Sequence, residues 1–315
     1  MTNATSLITR TSGQPTPLSR GLWGVLATPF TGPSLALDVE SLRREVSFFR
    51  ELPATGVVAL GVFGEGAALD SDEQRRVVET VRAEGNGLPV VVGLSARATA
   101  PAVEQAHRAV QAAREALVAV MVQVNSPDPD VLAAHLTAIH EATGAGVVLQ
   151  DYPIASGVDI SVPQILETLE RCAFVVAVKS EAPPTGNVIA KLTARTKVPV
   201  FGGLGGVGLL DELAGGASGA MTGFSRPEAL LEALRAWESG GMAAAHEAFA
   251  RWLPLVNFEG QPGIGLAVRK EALRLRGIFA EGAVRPPAPK APAEMLPMLR
   301  QHLEALNLTE PKGQL

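Results

Sequence analysis

The stretch Phe174-Val175-Val176-Ala177-Val178-Lys179 is apolar until its last position, rich in β-branched residues and closed by a single basic residue. A short continuous apolar run of this kind predicts a strand that is buried on both faces, as the strands of parallel sheets are. Because no polar residue surrounds Lys179 within the run, we expect burial to favour its neutral amine, the form that condenses with a ketone. The alternative is a strand-terminal lysine whose ammonium reaches solvent.

Seven other short β-rich runs recur along the chain at intervals of about 30 residues, the length of a strand-helix-strand unit. Helical patterns lie between them, with Asp or Ser available as N-caps. Eight such units predict an α/β protein that closes into a (β/α)8 TIM barrel. The other strand runs lie at 24–28, 57–61, 89–93, 117–122, 147–150, 198–201 and 219–222. The clearest helical patterns lie at 38–52, 71–84, 100–115 and 130–142.

The alternation also fits an open, doubly wound sheet, but no Gly-x-Gly-x-x-Gly follows the first strand, where a dinucleotide-binding fold would have it. The chain divides into three parts. Residues 1–20 are rich in Thr, Ser and Pro and are predicted to be a mobile tail. Residues 21–239 form the barrel. Residues 240–315 are predicted to be a helical extension packed on the barrel, with an extended proline-rich linker at 285–292.

Composition excludes several function classes. With 47% hydrophobic residues and a net charge of -5, the chain of 315 residues can bury a large core, and its dispersed basic residues offer no stripe for nucleic acid. A single cysteine, Cys172, excludes an intramolecular disulfide and fits a cytoplasmic protein. The first 20 residues lack the apolar core of a signal peptide, and no membrane span is expected. All five histidines fall in predicted helices, so we expect neither a metal nor a cofactor.

The ends of the predicted strands carry the residues from which function can be read, because barrel enzymes place their chemistry there. Four motifs stand at these ends: Ala27-Thr28-Pro29-Phe30, the Gly-x-x-Gly-Glu of 61–65, the Pro-x-x-Ser-Gly of 153–157 and Lys179. In this order and on these strands they resemble the dihydrodipicolinate synthase and N-acetylneuraminate lyase family. The resemblance runs from about Gly21 to Leu306 and includes the C-terminal helices.

This resemblance implies a cofactor-free enzyme in which Lys179 forms an imine with a small 2-oxo acid such as pyruvate. It also implies a homodimer or homotetramer. From the strand ends and the family signature, the expected substrate contacts are Thr28, Val62, Phe63, Gly64, Glu65, Gly203 and Thr222.

The sequence departs from the family where protons are moved. Gln150 stands at the position of the tyrosine that ends strand five, Val62 and Phe63 replace a hydroxyl pair, and Val124 replaces a second tyrosine. None of these side chains titrates near neutral pH. The position of the arginine that holds a second carboxylate in dihydrodipicolinate synthases is Ala155. We therefore expect a divergent lyase without true dihydrodipicolinate synthase activity.

Two residues are candidates for the missing chemistry. Tyr152 lies two residues beyond Gln150, so strand alternation places both on the inward face, and its phenol can serve as an acid or base. Gln150 can polarise a substrate oxygen by a hydrogen bond. Apolar residues near the strand ends, Val62 and Phe63 with Val124 and Phe224, predict a preference for 2-oxo acids with apolar substituents.

Three functions remain open. The first is a class I lyase that catalyses aldol cleavage, condensation or dehydration. The second is a non-catalytic binding or regulatory barrel that has lost the proton relay. The third is a phosphosugar aldolase or isomerase, suggested by the glycine-rich run from Gly202 to Gly208, which lies where many barrels hold phosphate.

Overall fold

The computed structural model describes residues 15–308, and eight parallel strands form its main sheet. The strands, labelled β1 to β8 in chain order, are Gly21–Val25, Gly56–Ala59, Val90–Gly93, Leu117–Gln123, Val147–Asp151, Val175–Ser180, Val200–Phe201 and Gly219–Thr222. The helices, α1 to α12, are Val39–Glu51, Ser71–Gly85, Thr99–Ala113, Pro129–Thr143, Pro153–Ser156, Val162–Arg171, Thr185–Thr193, Leu209–Ala214, Pro227–Phe249, Leu253–Glu259, Gly265–Leu275 and Met295–Ala305. A small antiparallel hairpin, Phe30–Thr31 with Ala36–Leu37, follows β1.

The predicted barrel is confirmed. Each strand from β1 to β6 pairs in parallel with the next, and β1 also pairs with β8. Between β7 and β8, Gly202 bridges to Ala220 and its carbonyl accepts from the Met221 amide at 2.9 Å, which closes the cylinder.

The first strand begins three residues earlier than its sequence run predicts, because glycines shape the seam between β1 and β8. Gly21 is the register partner of Gly219, and both have positive φ angles, 124° and 143°. A Cβ atom on Gly219 would lie 2.0 Å from the Gly21 carbonyl oxygen. Glycine usually weakens a strand, but here it permits the close approach of two backbones.

Local sequence signals explain where the barrel helices begin. The Asp38 side chain accepts a hydrogen bond from the Ser41 amide at the start of α1. Asp70 and Glu73 form a reciprocal capping box at the start of α2. These caps satisfy amides that have no partner within their own helix. The predicted helices at 38–52 and 71–84 are therefore confirmed.

Two apolar layers make up the core. The inner layer fills the cylinder with alternate strand residues, among them Trp23, Val58, Met121 and Phe201. The outer layer lies between the strands and the helices. Leu18 belongs to the inner layer, is buried, and donates its amide to the Val176 carbonyl at 3.0 Å. The end of the predicted N-terminal tail therefore packs into the barrel, while residues 1–14 of that prediction lie outside the described residues.

The C-terminal extension packs on the barrel through buried and half-buried ion pairs. Lys270 of α11 pairs with Glu65 after β2, and Arg285 pairs with Glu73 at 2.6 Å. Helix α9 bends at Gly241, whose φ of 62° lies in the left-handed region. No helix within residues 15–308 is long and apolar enough to cross a membrane.

Candidate active site

Lys179 lies one residue before the end of β6 and is the register partner of Gln150 on β5. Its side chain is only 7% exposed, and its Nζ lies 3.0 Å from Oε2 of Glu181. Because residues two apart on a strand share a face, Glu181 follows Lys179 onto the inward side. The expected apolar surroundings of the lysine were therefore wrong: a buried carboxylate balances its charge.

Three donors fix the Glu181 carboxylate. Oε2 faces Lys179 and also accepts from Nε2 of Gln150 at 2.7 Å, while Oε1 accepts from the Leu204 amide at 3.2 Å. Gly203 makes room for this arrangement, because a Cβ atom there would lie 2.2 Å from Oε1. Gln150 was predicted to donate to a substrate oxygen, and in this structure its amide donates to Glu181. The result is an amine and a base held at hydrogen-bonding distance.

Tyr152 is half-buried beyond the end of β5, and its hydroxyl has no hydrogen-bond partner among residues 15–308. Burial raises the pKa of the Tyr152 phenol, the charge of Glu181 raises it further, and Arg269 opposes both. Tyr152, Glu181 and Arg269 thus lie close enough to interact electrostatically. A phenol with a raised pKa keeps its proton at neutral pH and can donate it.

Two predicted contact residues hold loops in place. The Thr28 hydroxyl donates to the Gly64 carbonyl at 2.6 Å, and the Thr222 hydroxyl accepts from the Gly205 amide at 2.8 Å. Both threonines are buried. Their side chains therefore set the shape of the loops after β1, β2 and β7.

Three neighbouring amides of the glycine-rich loop already donate to protein acceptors. The amides of Leu204, Gly205 and Gly206 donate to Glu181, Thr222 and the Gly203 carbonyl respectively. Phosphate sites on such loops depend on free amides. This arrangement argues against the phosphosugar alternative.

Glu65 was predicted to contact substrate; it lines the cavity at the ends of β2 to β5, and its carboxylate also binds the C-terminal extension. Oε2 pairs with Nζ of Lys270 and Oε1 accepts from the Arg285 amide at 3.0 Å. Lys270 also donates to the Ala283 carbonyl at 2.9 Å. Burial lowers the pKa of Lys270 and the charge of Glu65 opposes that shift. We refer to Glu65, Lys270 and Ala283 as the clasp, because they tie the loop after β2 to the C-terminal extension.

A cavity of about 270 Å3 opens at the carboxyl ends of β2 to β5. Val62, 42% exposed, forms part of its rim, and Gln150 connects it to Lys179. Sequence reasoning missed its other polar walls because it did not consider the loop after β3 or the inward face of β4. These walls are Ser95, Arg97 and Gln123.

The predicted apolar lining was wrong at two positions. Val124 and Phe224 are buried in the outer layer, between strands and helices, and do not line the cavity. Phe63 packs against the inner layer, with its ring next to Gly223 and beneath the guanidinium of Arg269, at 4.8 Å from the ring centroid. The mouth of the barrel is more polar than its sequence suggests.

Two further buried carboxyl groups stand near Glu181. Burial, together with the charges of Glu181 and Asp159, raises the pKa of Asp151 to about 6. Burial raises the pKa of Glu212 to about 7, and the neighbouring Thr185 hydroxyl opposes that shift. Their acidic neighbours do not create a metal site: no group of three or more potential ligands among residues 15–308 could hold a metal ion.

Comparison with known proteins identifies the family to which this chain is similar. The model of the dihydrodipicolinate synthetase family matches residues 18–306. A 4-hydroxy-tetrahydrodipicolinate synthase of Methanopyrus kandleri is 29% identical over 93% of this chain and 98% of its own length. An L-2-keto-3-deoxyarabonate dehydratase of Azospirillum brasilense is 28% identical over 92% of this chain and 94% of its own.

Solved structures agree. The crystal structure of dihydrodipicolinate synthase from Rhodopseudomonas palustris matches with a TM-score of 0.85 and 28% identity, over 93% of this chain and 100% of that one. Fold, strand-end motifs and nearly complete coverage lead to one conclusion. The chain belongs to the dihydrodipicolinate synthetase family of lyases and dehydratases.

Proposed function

We propose that the protein is a class I lyase that binds a small 2-oxo acid as an imine on Lys179. The observation that supports this most directly is the buried pair of Lys179 and Glu181, 3.0 Å apart beside the cavity wall formed by Gln150. An amine must lose its proton before it attacks a carbonyl, and an adjacent base supplies that step.

The proton transfers of the proposed imine formation take place within this pair. Glu181 accepts a proton from the Lys179 ammonium, and the free amine attacks C2 of the substrate. The carbinolamine hydroxyl then takes the proton back from Glu181 and leaves as water. The protonated imine that remains draws electrons from the bonds at C3, which allows loss of a proton or cleavage of a C–C bond there.

Among the lyase reactions, we favour dehydration of a 2-oxo-3-deoxy acid. It needs a base for the C3 proton and an acid for the departing C4 hydroxyl, roles that suit Glu181 and Tyr152. The substrate named for the Azospirillum brasilense relative is a keto-deoxy acid of this type. Condensation with a second carboxylate is disfavoured because Ala155 has no charge to hold it.

Borohydride reduction in the presence of single 2-oxo acids tests the imine. We expect intact mass and peptide mapping to find the reduced ligand on the peptide that contains Lys179, and Lys179→Ala to abolish the adduct. Lys191→Ala is the matched control, because that lysine is exposed on α7. Adducts on other lysines alone, or none with any 2-oxo acid, would refute the proposal.

A binding or regulatory role is the second candidate, since Gln150 stands where the family has its proton-transfer tyrosine. Steady-state turnover separates the two: a binding protein would trap ligand on Lys179 but release it unchanged. True synthase activity has its own test. Loss of one proton-transfer group lowers a rate by about 10²- to 10⁴-fold, so we expect little condensation of pyruvate with aspartate semialdehyde in a coupled assay.

We further propose that the chain assembles as a homodimer or homotetramer, as its family resemblance implies. Sedimentation across a concentration series measures this directly. A single species at the mass of one chain would contradict it.

A further inference from the structure

Arg269 brings a positive charge to the barrel mouth from outside the barrel. It lies on α11 of the C-terminal extension, and its guanidinium stacks on Phe63 at 4.8 Å from the ring centroid. Its Nη2 is so close to Gly205 that a Cβ atom there would approach it to 2.7 Å. It also interacts electrostatically with Tyr152 and Glu181. Its guanidinium therefore lies above the inner layer, beside the loop after β7 whose Leu204 amide donates to Glu181.

Glu259 holds two nitrogens of this guanidinium, and the third nitrogen is available to a ligand. Nε lies 3.3 Å from Oε2 of Glu259, and Nη2 donates to the Glu259 carbonyl at 3.3 Å. Glu259 is fully buried and is itself held by the amide and the hydroxyl of Ser225. No hydrogen-bond partner of Nη1 occurs within residues 15–308. The N–H groups of Nη1 therefore remain available to an anion, on a guanidinium that Glu259 already holds in place.

The positions that hold a carboxylate in the family offer no donors here, and the donors of the cavity itself, Ser95, Arg97 and Gln123, lie on its β3 and β4 side. Val62 and Phe63 occupy the positions of the hydroxyl pair, Ala155 carries no charge, and the amides of 204–206 donate to protein acceptors. Lys179 is already balanced by Glu181. A 2-oxo acid nevertheless brings a carboxylate, and burying one without a partner is strongly unfavourable.

We propose that Arg269 binds the carboxylate next to the ketone of the substrate, in place of the absent loop hydroxyls. This inference rests on the proposed imine chemistry at Lys179. Phe63 then has a defined role. Its ring stands where the family has a hydroxyl residue, and it packs against the Arg269 guanidinium that binds the carboxylate instead. The ligand is a carboxylate rather than a phosphate, because a phosphate dianion needs further donors and the amides of 204–206 are occupied.

The test compares two ligands that differ only in charge, pyruvate and pyruvamide, in borohydride trapping on Lys179. For Arg269→Gln we expect the half-saturating concentration of pyruvate to rise by about 10- to 100-fold, as for a lost hydrogen bond to a charged group. Trapping of pyruvamide should change less than about twofold. Arg274→Gln is the matched control, because Arg274 lies on the same helix and pairs with Glu271.

A second variant guards against misfolding. Arg269→Gln leaves Glu259 buried without its cation, so Arg269→Gln combined with Glu259→Gln restores a neutral pair and should show the same selective loss. Parallel weakening of both ligands, or no change in either, would overturn the proposal. Competition by inorganic phosphate stronger than that by acetate would also overturn the choice of a carboxylate.

The experiments distinguish a protein that forms no imine on Lys179 from one in which Arg269 does not bind the carboxylate. If the unmodified protein traps no ligand, calorimetric titration with pyruvate still reports the anchor without chemistry. Weaker heat-detected binding in Arg269→Gln than in Arg274→Gln would support it. Equal binding, or none, would refute it.

Discussion

The molecule contains two buried lysine–glutamate pairs that differ in what surrounds them. Lys179 lies on β6 and Glu181 directly follows that strand, next to Gln150 of the cavity wall, and the carboxylate also accepts from the Gln150 amide side chain and the Leu204 backbone amide. Lys270 and Glu65 join the C-terminal extension to the loop after β2, with Phe30 and the Ala283 carbonyl also against the ammonium. Both pairs are buried, so burial alone does not identify a nucleophile. What sets Lys179 apart is its place at the carboxyl end of a barrel strand, paired in register with Gln150 of the cavity wall.

The difference predicts opposite failures, the largest effects expected in this protein. Lys179→Ala should abolish imine trapping and turnover but lower stability less, because Gln150 and the Leu204 amide still donate to the Glu181 carboxylate. Lys270→Met should keep Lys179 reactive but lower the free energy of unfolding by roughly 3–5 kcal/mol, because it leaves Glu65 buried without its partner. Denaturant titration and trapping, measured on both variants, check this. A loss of stability in Lys179→Ala equal to that in Lys270→Met would remove the distinction.

Substitution of Glu181 tests the role of the acidic partner in the Lys179 pair. Glu181→Gln keeps the shape of the side chain but cannot take a proton, so we expect imine formation to slow by about 10²- to 10⁴-fold. Stopped-flow trapping with borohydride measures that rate. Glu212→Gln is the matched control, since Glu212 is also buried nearby but lies against Gly202, on α8. An unchanged rate in Glu181→Gln would exclude it as the base.

The surroundings of the clasp should also respond to pH. Burial raises the pKa of Glu45 from 4.5 to about 8, opposed by a hydrogen bond from the Ala27 amide and by the charge of Lys270. The folded state therefore holds a proton that the unfolded state releases, and stability falls as pH rises between about 4.5 and 8. Glu45→Gln removes this contribution. The wild type should lose up to roughly 1.4 kcal/mol per pH unit relative to the variant.

Unfolding midpoints at pH 5, 6.5 and 8 measure the difference between the two proteins. Asp151 and Glu212 have raised pKa values as well, but they are common to both and cancel. Parallel curves for wild type and variant would show that Glu45 carries its charge in the folded state.

The smallest effect concerns the space beside Glu181. Gly203→Ala should displace the carboxylate from the Leu204 amide and slow trapping by about 10-fold, the loss of roughly one hydrogen bond to a charged group. Gly32→Ala offers a control for substitution at a glycine, because no atom lies within 4 Å of its Cβ position, although its φ of 70° adds strain. Equal trapping rates in Gly203→Ala and wild type would mean that Glu181 tolerates movement.

Strand periodicity was enough to predict the barrel and to bring Lys179 and Gln150 together, because both depend only on alternation within a strand. The same rule places Glu181 on the inward face, but it gives no sign that the carboxylate pairs with Lys179. Val124 and Phe224 were misplaced by the same physics, since an error of one residue at a strand end moves a side chain to the other face. Arg269 could not be found this way. It reaches the site from a distant helix, and only tertiary structure brings it there.

The glycine seam between β1 and β8 has a consequence for synthesis of the chain. Strand β1 emerges first, yet one of its edges pairs only with β8, which is made after all the other strands. Until then that edge exposes unpaired backbone groups, as does the far edge of the growing sheet. Closure requires a highly non-local contact, and such contacts form slowly. Nascent chains stalled before Gly219 should therefore be prone to associate with one another or with chaperones, and release of that tendency should coincide with the arrival of the last strand.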